Sequence, residues 1–237
     1  MSARLVSAVL LIVTGAATAS TPSWRDDIVA TDDVVVMDQG YLDAHPDQQY
    51  RARGVDLLGS GRGAEVVKNL RRAARYGDKP SQALLGALLW EGVEVPMDRA
   101  SAYAWMDLAS ERGYREYLVT REQYWDELSD AERNRAVQVG GPIYDQYADV
   151  VAKPRLDHQL RRAKRSITGS RTGFVGNLSI IPMDRYTGDI EGNRYYDRRH
   201  WDSKHYWRVQ DQLWNPNAPR GHVEVGPLRI GPAAPTN

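Results

Sequence analysis

Ala73-Ala74-Arg75-Tyr76-Gly77 is followed 36 residues later by Ala109-Ser110-Glu111-Arg112-Gly113, and what lies between them decides the fold. The interval opens with Pro80-Ser81-Gln82-Ala83-Leu84-Leu85-Gly86-Ala87-Leu88-Leu89-Trp90-Glu91-Gly92, continues through Val95-Pro96-Met97-Asp98, and ends with Ala102-Tyr103-Ala104-Trp105. This predicts a helix, a turn and a second helix. Pro80 suits a first helical turn, Gly86 and Ala87 permit a close helix crossing, and Gly92 stops the first helix. Pro96 cannot extend it. Asp98 then caps the second helix, whose inward face is Ala102, Trp105 or Met106, and Ala109, with Gly113 as its left-handed terminus. A single hairpin of this kind cannot bury its own apolar face, so such units are expected to stack as a helical solenoid.

These residues resemble the Sel1-like repeat family, relatives of the tetratricopeptide repeat. Its pattern places Ala, Leu-Gly, a Gly turn, Pro-x-Asp and a closing Ala-Ala-x-x-Gly at these positions. The resemblance covers Asp78 to Gly113, with Gly86, Gly92, Asp98, Trp105 and Gly113 as its structural positions. Roughly from His45 to Gly77 it recurs more loosely, through Pro46, Gly54, Leu57, Leu58, Gly59, Val66, Ala73, Ala74 and Gly77. There Gly61-Arg62-Gly63 replaces the Pro-x-Asp turn. The resemblance implies a scaffold that binds other proteins, and no catalytic residues.

A third unit beginning Tyr114-Arg115-Glu116-Tyr117-Leu118 soon departs from the pattern and is read as a cap. Thr120-x-x-Gln123 and Ser129-x-x-Glu132 are capping-box signals for two further helices. Gly140-Gly141-Pro142 is expected to interrupt the second, before Ile143, Tyr144, Tyr147 and Val151 continue an apolar face.

Working outward, residues 1–19 combine Arg4, an apolar run from Leu5 to Val13, and Ala17-Thr18-Ala19, the three regions of a secretory signal. Residues 20–44 read as a linker, 45–151 as the repeats and their capping helices, and 152–237 as a C-terminal module. The apolar run is about half of the roughly 20 residues that a membrane-spanning helix needs, so no anchor is expected after cleavage. The 237 residues contain no cysteine, which excludes disulfides, thiol catalysis and Cys-ligated metals. Export without disulfides points to a soluble protein of a bacterial periplasm. A nucleic-acid partner, a metal and a cofactor are not expected.

Lys and Arg balance Asp and Glu at 31 each, yet residues 20–150 carry 15 cations against 23 acids and residues 151–237 carry 15 against 8. Such asymmetry marks either a basic arm for an anionic polymer or two halves that dock on one another.

The C-terminal module begins with a short basic helix, Arg155 to Arg165. Gly169 to Gly176 is glycine-rich but lacks the ending of a phosphate-binding loop, so a turn into a strand around Leu178 to Ile181 is preferred. Asp184, Asp189, Glu191 and Asn193 do not have EF-hand spacing and read as a solvated turn. Tyr195, Tyr196, Trp201, Tyr206, Trp207 and Trp214 then interleave with Arg194, Arg198, Arg199, Lys204 and Arg208. One reading is a saccharide or polyanion surface using Arg199, Trp201 and Trp207. The preferred one is a packed module, with Asp202 capping a helix whose inward face is Tyr206, Val209 and Leu213. His200, Asp202 and His205 are the nearest approach to a metal or acid–base cluster, but a five-residue His spacing does not share a helix face. His222 to Gly226 alternates like a short strand ahead of a Pro-rich tail.

The expectation is therefore a mainly α protein: a short solenoid with a basic, aromatic-rich α+β or irregular C-terminal module. Its function is expected to be binding of a cell-envelope protein, with first-helix residues Gln48, Gln82, Leu85 and Leu89 as positional candidates for contact. Binding of an anionic or saccharide envelope polymer is the alternative, and a hydrolase is the least supported reading.

Overall fold

The computed structural model describes residues 39–168, 179–180, 190–191 and 195–214. The expected leader, most of the expected linker, the glycine-rich stretch, most of the acidic one and the Pro-rich C-terminal residues lie outside the described residues. What is described is mainly helical: α1 (Gln39–Ala44), α2 (Pro46–Asp56), α3 (Gly63–Ala74), α4 (Lys79–Glu91), α5 (Arg99–Ala109), α6 (Arg115–Glu127), α7 (Asp130–Tyr147), α8 (Asp149–Thr168), α9 (Arg198–Trp201) and α10 (Ser203–Trp214). Ser110–Arg112 forms a 3-10 turn after α5. The two-residue strands β1 (Ser179–Ile180) and β2 (Ile190–Glu191) pair antiparallel, with Ser179 opposite Glu191.

The helix ends follow local chemistry. Asp78 and Asp98 each accept the backbone N–H three residues on, from Ser81 at 3.0 Å and Ser101 at 3.1 Å. Gly92 closes α4 in the left-handed region, at φ 67°. Ser129 and Glu132 form a capping box at the start of α7. A Cβ added to Gly86 would lie 3.0 Å from the Ala102 carbonyl, so the glycine sets how closely α4 and α5 cross. At Gly63 the approach is closer still, because a Cβ there would overlap the Glu94 carbonyl at 1.8 Å.

Three expectations are corrected. Thr120 starts no helix: α6 runs through it, and its hydroxyl donates to the Glu116 carbonyl one turn back at 2.9 Å. Gly140-Gly141-Pro142 does not interrupt α7, because the carbonyl that Pro142 leaves without a donor belongs to exposed Gln138. Nor does the basic helix begin at Arg155. It is continuous from Asp149 through Pro154, across the boundary drawn at Val151.

α2 packs on α3 and α4 on α5, α3 joins the two pairs, and α6 and α7 close over α5. Leu70, Leu85, Trp105, Met106, Leu108 and Tyr117 form the centre of the main core. The C-terminal residues are not a separate body. Tyr195, Tyr196 and Trp201 share a small core with Tyr41 and Ala44 of α1, which turns the end of the expected linker into a packed helix. Tyr206 and Trp207 pack with Leu156 and Leu160 of α8.

Charged residues lock these layers. The Arg112 guanidinium donates to both Asp149 oxygens, at 2.7 and 2.9 Å, and to the Gly77 carbonyl at 2.8 Å. Fully buried Lys79 reaches the Leu108 carbonyl at 3.0 Å and Glu111 at 2.7 Å, with Asp149 at 3.2 Å. Removing one member of a buried ion network leaves its partners without a counter-charge. Asp149→Asn is therefore expected to lower the unfolding free energy by about 3 kcal/mol. Asp130→Asn, at an exposed pair, should change it by less than about 0.5 kcal/mol. Urea unfolding followed by circular dichroism measures both.

Candidate functional site

The helix faces first expected to meet a partner are occupied by the chain itself. Gln48 is buried on α2 and its amide donates to the Tyr206 hydroxyl of α10 at 2.9 Å. Gln82 is buried on α4, accepting from Lys79 at 3.0 Å and donating to the Tyr147 carbonyl at 3.2 Å. Leu85 lies in the main core, and Leu89 is half-buried against it. Gln48 and Gln82 are covered by α10 and by the α7–α8 junction, Leu85 is in the core, and only Leu89 keeps some exposure.

The aromatic surface is corrected in the same way. The Trp201 indole N–H donates to the Tyr195 carbonyl at 2.7 Å from within a small core. Trp207 is buried between Leu156, Leu160 and the Arg112 guanidinium, which stands 4.3 Å over its ring. Only Arg199 is exposed, beside Asp197 at 3.3 Å. Asp202 caps α10 by accepting the His205 N–H at 3.2 Å. Leu213, expected inward, is 45% exposed, because the inward face consists of Tyr206, Trp207 and Gln210.

His200, Asp202 and His205 do not converge. His200 is buried and its carbonyl lies 2.8 Å from His45 Nε2, while His205 Nδ1 lies 2.8 Å from Asp202. Among the described residues, no group of three or more His, Asp or Glu side chains converges in the manner of metal ligands.

The seam between α2 and α10 holds titratable groups that sequence reasoning missed. Arg51 pairs with Asp78 at 2.5 Å, and its guanidinium stands 5.6 Å over the Trp214 ring. The Tyr206 hydroxyl donates to Asp47 Oδ2, while Asp47 Oδ1 has no hydrogen-bond partner. Burial, with the charge of Asp78, pushes the Asp47 carboxyl up to about 7. His45 is fully buried, with Nδ1 2.8 Å from the Tyr41 carbonyl and Nε2 near that of His200. Burial lowers its imidazole to about 4. Charged residues near helix starts are ordinarily solvated, so no local signal marked these as interior.

What remains open lies on the other faces. Val55 of α2, Leu84 and Leu88 of α4, and Leu58 and Val93 in the following turns line a groove of about 250 Å³. Leu84 and Leu88 are its buried floor, whereas Leu58 and Val93 are 37% and 48% exposed. Its rim is fixed by Glu94, held at φ 65°, whose carboxylate accepts the Gly59 N–H at 2.6 Å. On α8, the exposed side chains of His158, Arg161, Arg162 and Arg165 line a shallower concavity of about 390 Å³. Among the described residues no helix is long and apolar enough to cross a membrane.

Compared with protein-family models, characterised proteins and solved structures, the chain matches none of them.

The seam gives a pH dependence of defined sign. Folded Asp47 keeps its proton up to about 7, whereas the unfolded carboxyl releases it near its ordinary 3.8. This contribution to stability therefore declines as pH rises through that window. Folded His45 releases its proton at about 4 against 6.5 unfolded, so its contribution increases with pH between those values. The two oppose one another. In Asp47→Asn, stability measured by urea midpoints is expected to rise more steeply from pH 4.5 to 6.5 than in the native protein. An unchanged slope would show that Asp47 titrates normally.

Proposed function

We propose that this protein is an exported adaptor of the Sel1-like kind, which binds an apolar segment of a partner protein in the groove between α2 and α4. The observation that carries the reading is the groove itself. Two leucines form a buried floor, and exposed Leu58 and Val93 leave apolar surface at the mouth. The strained, hydrogen-bonded Glu94 turn holds that mouth open without a ligand, which lowers the ordering cost of binding. The stacked helix pairs joined by Gly-containing turns support the repeat assignment, and the leader-like residues 1–19 support export to a bacterial periplasm.

A photoreactive side chain at Val93 in the full chain is expected to cross-link a periplasmic protein, identified by mass spectrometry and then purified. Leu58→Asp and Val93→Asp should each weaken that partner's binding at least tenfold, about 1.4 kcal/mol. Val150→Asp changes a still more exposed valine away from the groove and should leave binding unaltered. Full affinity in both groove variants would remove the groove from recognition.

A second reading, an anionic envelope polymer, is favoured by the cationic face of α8. Arg162 and Arg165 make no ion pair among the described residues, and with His158 and Arg161 they occupy one side of the helix. Sedimentation with envelope glycan should then fall steeply with added salt and be lost in an Arg162→Glu/Arg165→Glu variant. Retention unaffected by either change would remove this reading.

A further inference from the structure

A further open concavity, of about 300 Å³, lies where α5, α6 and α7 meet, and nothing in the groove reading uses it. Two of its walls are aromatic. The rings of Tyr103 and Trp125 stand 4.9 Å apart at 46°, and the Tyr144 hydroxyl donates to Asp107 Oδ2 at 3.1 Å. The third wall is formed by Gly140 and Gly141 in the middle of α7.

Those two glycines have no explanation in packing. Neither has a positive φ. A Cβ on Gly140 would meet only Ala104, at an ordinary 4.0 Å, and a Cβ on Gly141 would meet nothing. Glycine in a helix interior is destabilising relative to alanine. What the pair leaves in return is an open wall opposite the rings, with 71%-exposed Val137 at the mouth.

The charge in this space is negative and incompletely compensated. Asp107 is about a third exposed, and Oδ1 receives only a long 3.4 Å contact from Arg121. Arg121 turns Nε and Nη2 to Glu122 instead. Arg133 lies over the Trp125 ring, 5.2 Å from its centroid, and donates to the Trp125 carbonyl at 3.1 and 2.9 Å, with Asp130 at 3.5 Å, so it does not reach Asp107. Burial first, and then the charge of Asp107, hold the Tyr103 and Tyr144 phenols above their ordinary range, in keeping with a cleft that favours positive charge.

We propose that this cleft binds an arginine side chain of a partner protein, the planar guanidinium lying beside the Tyr103 ring and pairing with Asp107. A guanidinium combines a flat apolar face with a fork of donors, and a ring beside a carboxylate satisfies both. The site is independent of the groove between α2 and α4. Only the assignment of the arginine to a protein rests on the adaptor reading.

The test is a titration of the ¹⁵N-labelled full chain with N-acetylarginine amide, and in parallel with N-acetylcitrulline amide, which has nearly the same shape without the charge. Arginine amide is expected to give saturable shifts at the Trp125 indole N–H and the Gly140 and Gly141 amides, and citrulline amide to bind at least tenfold more weakly. Asp107→Asn keeps an acceptor for Tyr144, so the spectrum should stay dispersed while arginine affinity falls at least tenfold. Val137→Lys should weaken binding severalfold, and Val119→Lys, the same charge change at an exposed site outside the cleft, by less than twofold. Equal binding of citrulline amide, undiminished binding to Asp107→Asn, or no saturable shift at these residues would each overturn the proposal. Leu58→Asp separates the two readings, since it leaves this titration unchanged whether or not the groove binds a protein.

Discussion

The Arg112–Asp149 pair, with Lys79 and Glu111 around it, is the interaction on which the arrangement of helices depends. Its members come from the start of α4, the end of α5 and the start of α8, and its acceptors include the Gly77 carbonyl after α3. Glu111 also accepts the Asp149 backbone N–H, at 3.0 and 3.2 Å, and so serves the first turn of α8. Burial alone would raise the Asp149 carboxyl, yet the hydrogen bonds and charge of Arg112, joined by Lys79, hold it well below the usual carboxylate range. A fully buried ammonium is tolerated only with its donors satisfied, and Lys79 has Gln82, Leu108 and Glu111 as acceptors. The geometry leaves little freedom to slide one helix pair past another.

The same network explains why the terminal segments are part of the body rather than appendages. Arg112 presents its flat face to Trp207, and neighbouring Tyr114 donates to Asp211 at 2.6 Å, so α10 is seated by residues that already hold the α5–α8 contact. From its other end α10 reaches α2 through Tyr206 and Trp214, and α9 completes a core with α1. The acidic and basic halves noted in the composition therefore meet within one molecule. Their contact is not a broad field of opposite charge but a few buried groups whose protonation is set by their surroundings.

Which parts of this were legible in the sequence follows from the range of each signal. Asp98, Gly92 and the Ser129–Glu132 box act on backbone groups within four residues, and each is where the sequence placed it. Thr120 carries the same capping residue type, but α6 already begins at Arg115, and a helix that packs along its length overrides an internal start signal. Gly140-Gly141-Pro142 fails as a breaker because the carbonyl it leaves without a donor is that of exposed Gln138. Exposure was the least legible property. Gln48 is an ordinary surface type whose burial depends on Tyr206 of α10, more than 150 residues away. Val93 and Asp107 carried no motif, and Leu58 carried one only as a repeat position, since an open cleft is defined by what fails to cover it.

The two open clefts share a structural origin that bears on recognition. A stack of helix pairs buries each pair against the next, so complete packing leaves no room for a ligand except where backbone replaces side chain. At the groove this happens through Gly59 and the Glu94 turn, and at the aromatic cleft through Gly140 and Gly141. Both spaces are bounded by elements already fixed by other contacts: Glu94 by the Gly59 N–H, and Asp107 by the Tyr144 hydroxyl. α10 meanwhile covers the faces of α2 and α8 that a partner helix would otherwise use. A ligand that takes the open clefts meets preformed walls and displaces no part of the chain, whereas one that entered beneath α10 would first have to expose Tyr206, Trp207 and the charge of Arg112. That exposure is a cost that the open clefts do not impose.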